Sequence, residues 1–260
     1  MNSMGNLGVT CQHLWKTYQT RNGPITALED VTFSVKEQEF VCIVGTSGCG
    51  KTTLLKLIAG LLEPTSGQII FHSSLTGNQQ QTALVFQEHG LFPWMTVLDN
   101  VGFGLEMTGM SRKERQEHTL PVIEKVGLTS FIDNYPHELS IGMRQRVGIA
   151  RAFVVNPQML LMDEPFGSLD AQTKLLLQEE LLRIWKDYQR SIVYVTHDIE
   201  EAVYLGDRIL VMTSRPGNIR EEIHIPFRRP RDLSIKEQPD FTEINWHIWK
   251  ILEEEVRKNL

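Results

Sequence analysis

Residues Gly45 to Thr52 read GTSGCGKT, the GxxxxGK[ST] spacing, directly after the apolar run Phe40-Val41-Cys42-Ile43-Val44. An unbroken apolar pentapeptide suits a strand buried on both faces of a parallel sheet. The glycines that stop it permit a tight turn into a helix opening at Lys51. Backbone N–H groups in such a loop, with the positive end of the helix dipole, form a nest for phosphate oxygens. Lys51 would then reach the β and γ phosphates of a nucleotide, and the Thr52 hydroxyl would ligate Mg2+. A plain glycine-rich turn is the competing reading; the strand before and the helix after argue against it.

One buried strand needs others beside it. Short apolar runs recur at Ala83 to Phe86, Met159 to Met162, Ile192 to Val195 and Ile209 to Met212, with a helical segment from Gln172 to Tyr188 separating two of them. A parallel α/β sheet is the economical arrangement. The helix at the glycine turn is expected over Lys51 to Leu62, ended by Glu63-Pro64. Ahead of it, Val31, Phe33 and Val35 alternate with polar neighbours, and Thr10 to Trp15 and Ile25 to Leu28 offer partners, so an antiparallel sheet is expected first. Between residues 88 and 156 the segments Val97 to Met107, Arg112 to Val126 and Ile141 to Val155 read as helices with no strand between them. Past Pro216 come one strand at Glu221 to Ile225, an Arg-Pro stretch and a helix from Phe241 to Arg257. The tail from Pro226 to Leu260 could pack on the core or mediate regulation; with Phe241, Trp246, Ile248, Trp249 and Leu252 partly at helical spacing, packing on the core is expected.

The chain has 260 residues, enough for one large domain or one with an inserted subdomain. With 26 Lys+Arg against 32 Asp+Glu its formal net charge is -6, and it lacks the dense positive field that non-specific nucleic-acid binding needs. No nucleic-acid partner is expected. Cys11, Cys42 and Cys49 are odd in number and unspaced for pairing, which suits a reducing compartment. No apolar stretch is long enough to cross a bilayer, and Met1 to Val9 lacks the features of a signal peptide. The expectation is a chain neither secreted nor membrane-spanning on its own.

The run Met159 to Met162 delivers Asp163 and Glu164 at its C-terminal end, the edge of an open α/β sheet where ligands bind. Two adjacent acids alone usually belong to a solvated loop; four preceding apolar residues and a phosphate loop favour a site. Asp163 would join the Mg2+ shell through water, and Glu164 would polarise an attacking water.

Further segments complete an ordered series: Gln87 after a buried run, ELSIGMRQR at 138–146, DEP at 163–165, Ser168-Leu169-Asp170 and Thr196-His197-Asp198. With GTSGCGKTT at 45–53, they make the chain resemble the ATP-binding subunit of an ABC transporter over residues 10–225. The resemblance implies an α/β fold: a P-loop NTPase (RecA-like) core with an N-terminal antiparallel β subdomain and an inserted α-helical subdomain. The ATPase domain would span 8–230, with its core at 8–87 and 157–230, the helical subdomain at 88–156 and a tail at 231–260. The implied activity is hydrolysis of ATP with Mg2+, coupled to transport.

Residue by residue, the resemblance implies that Gly45, Thr46, Ser47, Gly48, Cys49, Gly50, Lys51, Thr52 and Thr53 cradle the phosphates. Thr52, Gln87 and Asp163 would serve the metal, and Glu164, Gln87 and His197 the reaction. Tyr18 matches the residue that stacks on adenine, its alternative being an ordinary sheet tyrosine. Ser140, as the N-cap of the following helix, and Gly142 would bind the γ-phosphate held by a second copy, and Asp170 would cross that interface. Ile141 replaces a glycine of the common LSGGQ form; we expect Gly142 to supply the close approach while Ile141 points away.

Phe92 and Trp94 either fill the helical block or line a groove for a short helix of a membrane permease. LFPW at 91–94, PFGSLD at 165–170 and SRPG at 214–217 resemble importers of the nitrate, sulfonate and taurine group. The partners implied are a second copy, permease subunits and, indirectly, an extracytoplasmic binding protein. The place implied is the cytoplasmic face of the cell membrane. A soluble ABC ATPase with an assembly or regulatory role is the alternative; a P-loop kinase would have no use for Ser140.

Overall fold

Every residue of the Phe40–Val44 run is buried, and this strand is the centre from which the phosphate loop is placed. The computed structural model describes residues 6–72, 80–86 and 90–258. In chain order the strands are β1 (Leu7–Thr20), β2 (Gly23–Lys36), β3 (Phe40–Val44), β4 (Ser66–Phe71), β5 (Thr82–Val85), β6 (Met159–Asp163), β7 (Ser191–Thr196), β8 (Arg208–Met212) and β9 (Ile219–His224). The helices are α1 (Lys51–Ile58), α2 (Val97–Glu106), α3 (Arg112–Lys125), α4 (Ile141–Val154), α5 (Ala171–Tyr188), α6 (Ile199–Leu205) and α7 (Pro239–Arg257). They divide between two compact units, Met1–Ser74 with Arg190–Leu260, and Leu75–Gln189.

In the first unit β3 lies between β7 and β8, parallel to both, and β9 closes the edge antiparallel to β8. All three inner strands are buried end to end, as their apolar, β-branched runs require. A second sheet, in the order β2-β1-β4, is antiparallel. Arg208 opens β8 with its side chain 7% exposed and paired with Glu39 (2.9 Å) and Glu222 (2.7 Å). An arginine is tolerated at such a site because its donors are answered by carboxylates.

Helix α1 stops at Ile58 instead of running to Leu62. Gly60 turns left-handed at φ +69°, and the amides of Leu61 and Leu62 fold back on the Lys56 carbonyl, so the helix closes before the proline is reached. Strand β4 has no counterpart in the sequence reading, because its first half, Ser66-Gly67-Gln68, shows no apolar pattern. Helix α7 buries Phe241, Ile248 and Ile251 against α6 and β8, but Trp246 and Trp249 are 56% and 44% exposed. Those two tryptophans therefore do not join the core as expected.

In the second unit β5 and β6 pair in parallel, and α2, α3 and α4 pack on one another. Ser111 and Glu114 form a capping box that starts α3. Buried Asn100 on α2 clamps the preceding turn: it accepts from the Phe92 amide (2.8 Å) and donates to the Phe92, Met95 and Thr96 carbonyls (3.0 Å each).

Candidate functional site

Val44, the last residue of β3, pairs in register with Thr196, the last of β7. The glycine loop and His197 therefore leave the same edge of the sheet on adjacent strands. Lys51 opens α1 only 6% exposed, its Nζ donating to the carbonyls of Gly45 (2.9 Å) and Thr46 (3.1 Å). Its charge is thus held inside the curl of the loop. Gly48 and Gly50 stand at φ +75° and +109°, a region other residues enter at a cost. A Cβ on Gly50 would also lie 2.7 Å from Leu28 Cδ2 and 2.9 Å from the Ala27 carbonyl, and one on Gly45 would lie 2.7 Å from Cys49 Sγ.

Residues 45–53 contain no acid, so the loop offers backbone N–H groups, an ammonium and hydroxyls. That donor set fits phosphate oxygens, and a hydroxyl on Thr52, an exposed residue, fits the Mg2+ that accompanies them. Tyr18, on β1, brings its hydroxyl 3.3 Å from the Thr53 hydroxyl while its ring stays 36% exposed. Lys16 Nζ lies over the ring at 5.4 Å from its centroid, so the aromatic surface beside the first turn of α1 is partly covered by a cation.

His197 is exposed on the bend between β7 and α6, and its neighbours are fixed. Thr196 Oγ1 donates to buried Glu201 and accepts from the Asp198 amide (3.0 Å), while Asp198 Oδ1 accepts from the Glu201 amide (3.1 Å). Burial, reinforced by Glu201, pushes the Tyr194 hydroxyl well above its ordinary pKa, so Tyr194 stays neutral beneath the bend. Neither Thr196 nor Glu201 was singled out from sequence as fixing this histidine, although Asp198-x-x-Glu201 has the acidic spacing of a helix start.

The acidic pair, Ser140, Gly142 and Asp170 belong to the second unit. Asp163 ends β6 and is 9% exposed. Glu164 follows at φ +45°, left-handed backbone that costs a non-glycine residue about 1–3 kcal/mol and clusters at functional sites. Its carbonyl accepts from the Gly167 amide (3.1 Å), closing the turn.

Asp170 caps α5, and the hydrogen bond from the Thr173 amide (3.0 Å) holds its carboxyl below the usual range. Ser140 caps α4 by accepting from the Met143 amide (3.3 Å). Ile141, the first residue of α4, has ordinary helical backbone and is 46% exposed, so its β-branch carries no strain. A Cβ on Gly142 would lie 3.2 Å from Thr173 Cγ2, which brings the starts of α4 and α5 together. Gln87 lies outside the described residues. Phe92 packs on Phe103 at 4.5 Å and on Trp94 at 5.6 Å between ring centroids, and Trp94 is 69% exposed.

The ABC transporter family matches residues 28–167 of the chain. The nitrate import ATP-binding protein NrtD of Synechocystis is 45% identical over 244 residues, 91% of this chain and 92% of its own length. The bicarbonate transport ATP-binding protein CmpD of the same organism is 42% identical over 241 residues, covering 91% and 86%. The taurine import ATP-binding protein TauB of Yersinia pestis is 45% identical over 215 residues, covering 82% and 83%. Among solved structures, a dimeric ATP-binding cassette in a post-hydrolysis state with ADP and Pi is 33% identical. It superposes at a TM-score of 0.73, covering 85% of this chain and all of that one.

Proposed function

Because the chain belongs to the ABC transporter family of ATP-binding proteins, we propose that it is the ATP-hydrolysing subunit of an importer for nitrate, taurine, another sulfonate or a related small solute. The observation that carries this is the acid-free phosphate loop, with Lys51 held inside it and His197 leaving the adjacent strand. The loop amides, Lys51 and Thr53 hold the triphosphate, and the face of Tyr18 takes the adenine. Thr52, Gln87 and Asp163 would hold a Mg2+, whose chemistry there would be neutralisation of phosphate charge.

Glu164 orients the attacking water and draws off its proton as the water oxygen bonds to the γ-phosphorus and the bridge to the β-phosphate breaks. His197 donates to the γ-phosphate, where charge collects. Ser140 and Gly142 of a second copy close over that phosphate, and Asp170 crosses the same interface, so hydrolysis is tied to closure of a pair. We assign this work to an ATPase domain over 8–230 and the docked tail to 231–260.

Exposed Trp94 suits contact with a permease helix, and through that partner the chain would sit on the cytoplasmic face of the membrane. No helix among the described residues is long and apolar enough to cross a membrane. The importer names of the relatives favour this reading over a soluble assembly ATPase. Tagging the chain and extracting membranes in mild detergent tests it: a stoichiometric polytopic membrane protein is the expected companion, with a binding protein encoded for the same solute. Recovery with soluble proteins alone, in a preparation that hydrolyses ATP, would overturn the transporter assignment.

A further inference from the structure

The segment Ser214-Arg215-Pro216-Gly217 has no part in the hydrolysis described above, yet it is built against the phosphate loop. Thr213 closes its turn, with its amide donating to the Asn218 carbonyl (2.9 Å) and its hydroxyl to the Pro216 carbonyl (3.0 Å). The Gly217 amide donates to the Ala27 carbonyl (2.9 Å), and the Gly217 carbonyl accepts from the Glu29 amide (3.0 Å). A Cβ on Gly217 would lie 2.1 Å from the Cys49 carbonyl, so only a glycine lets the turn press on the loop this closely. On the other side, the Ser214 amide and hydroxyl both donate to buried Glu255 at 3.1 Å. Arg215 is held between these two anchors.

From there the Arg215 guanidinium reaches the loop. Its Nη2 lies 3.9 Å from where a Cβ on Gly48 would stand, beside the left-handed residue at the exposed rim. Arg215 is exposed, and among the described residues no carboxylate pairs with it. An always-charged planar fork at a nest of N–H groups, with no acid to cancel it, matches a phosphate rather than a water-filled surface.

We propose that Arg215 is a further phosphate-binding residue of the nucleotide site, adding a second cation to Lys51 at the Gly48 rim of the loop. The proposal rests on the ATP-binding reading of that loop. It concerns the phosphate end only, so its effect scales with phosphate charge and leaves the nucleoside end alone.

The test compares full-length wild type with Arg215→Ala and Arg215→Lys. Dissociation constants for MgATP, MgADP and adenosine are measured at two KCl concentrations, beside melting without nucleotide. Arg215→Ala is expected to weaken MgATP about tenfold, as loss of one charge-assisted phosphate contact does. MgADP should suffer less and adenosine not at all, with a shallower salt dependence. Arg215→Lys, a point charge without the fork, should recover part of the loss, and the nucleotide-free melting temperature should not move.

MgATP affinity within about twofold of wild type in Arg215→Ala would overturn the proposal. So would a loss that Arg215→Lys does not relieve and that accompanies a lower melting temperature, which would make the side chain a brace only. Unchanged ATP affinity with weaker pairing of two copies would overturn it too, since the charge would then serve the second copy. If wild type itself bound no MgATP, the ATP-binding reading would fail before Arg215 was put to the question.

Discussion

Glu164 combines a chemical role with an unfavourable backbone, and the two are separable by substitution. Glu164→Gln keeps the shape and the φ of +45° but removes the proton acceptor. Hydrolysis should fall by about 10²–10⁴-fold while MgATP binding persists, as steady-state assay and equilibrium titration would show. Gly217 makes the converse case, a residue with no chemistry. Because a Cβ would meet the Cys49 carbonyl at 2.1 Å, Gly217→Ala must displace the loop; MgATP affinity should drop by about tenfold or more, with a lower melting temperature. The loop itself was legible in sequence, because GTSGCGKT encodes backbone geometry locally. Gly217, Arg215 and Glu201 were not, because their roles arise only where residues 27, 49 and 217, or 196 and 201, come together in space.

At the scale of elements, apolar patterning located the buried strands and, apart from the short α6, the starts of the helices to within a residue or two, since burial on both faces or one face leaves a period in the chain. It failed where geometry rather than pattern decides: the end of α1 at Gly60, the polar first half of β4, and the outward turn of Trp246 and Trp249. Helix α7 is seated as much by charge as by apolar contact. Glu255, with its side chain 3% exposed, accepts from Arg220 Nη1 (2.5 Å), Lys258 (2.7 Å) and Ser214. Burial alone would raise its pKa; the bonds from Lys258, the Ser214 amide and Arg220 outweigh that and hold it at about 2.

A carboxyl depressed on folding stabilises above its unfolded pKa of about 4.3 and loses that contribution as pH falls towards 2. Glu255→Gln should therefore lower stability at pH 7 by about 1–3 kcal/mol. Its thermal melting should also depend less on pH between about 2 and 4 than that of wild type.

For the whole molecule, relatives named for nitrate, bicarbonate and taurine stand at 42–45% identity to one chain. Likeness to this chain therefore does not by itself single out one of these solutes. The turn at 213–218 lies between the phosphate loop and the tail. Its one end presses on Cys49 and its other is held by Glu255 on α7, so the tail and the phosphate loop contact the same turn. Coupling between sites is reciprocal. MgATP at 100 times its dissociation constant contributes about 2.7 kcal/mol to the folded unit, and part of that should appear as slower amide hydrogen exchange in the last turns of α7, read by mass spectrometry with and without nucleotide. Read in the other direction, linkage predicts that loosening α7 from Ser214, as in Glu255→Gln, would also lower MgATP affinity, which equilibrium titration of that variant would show.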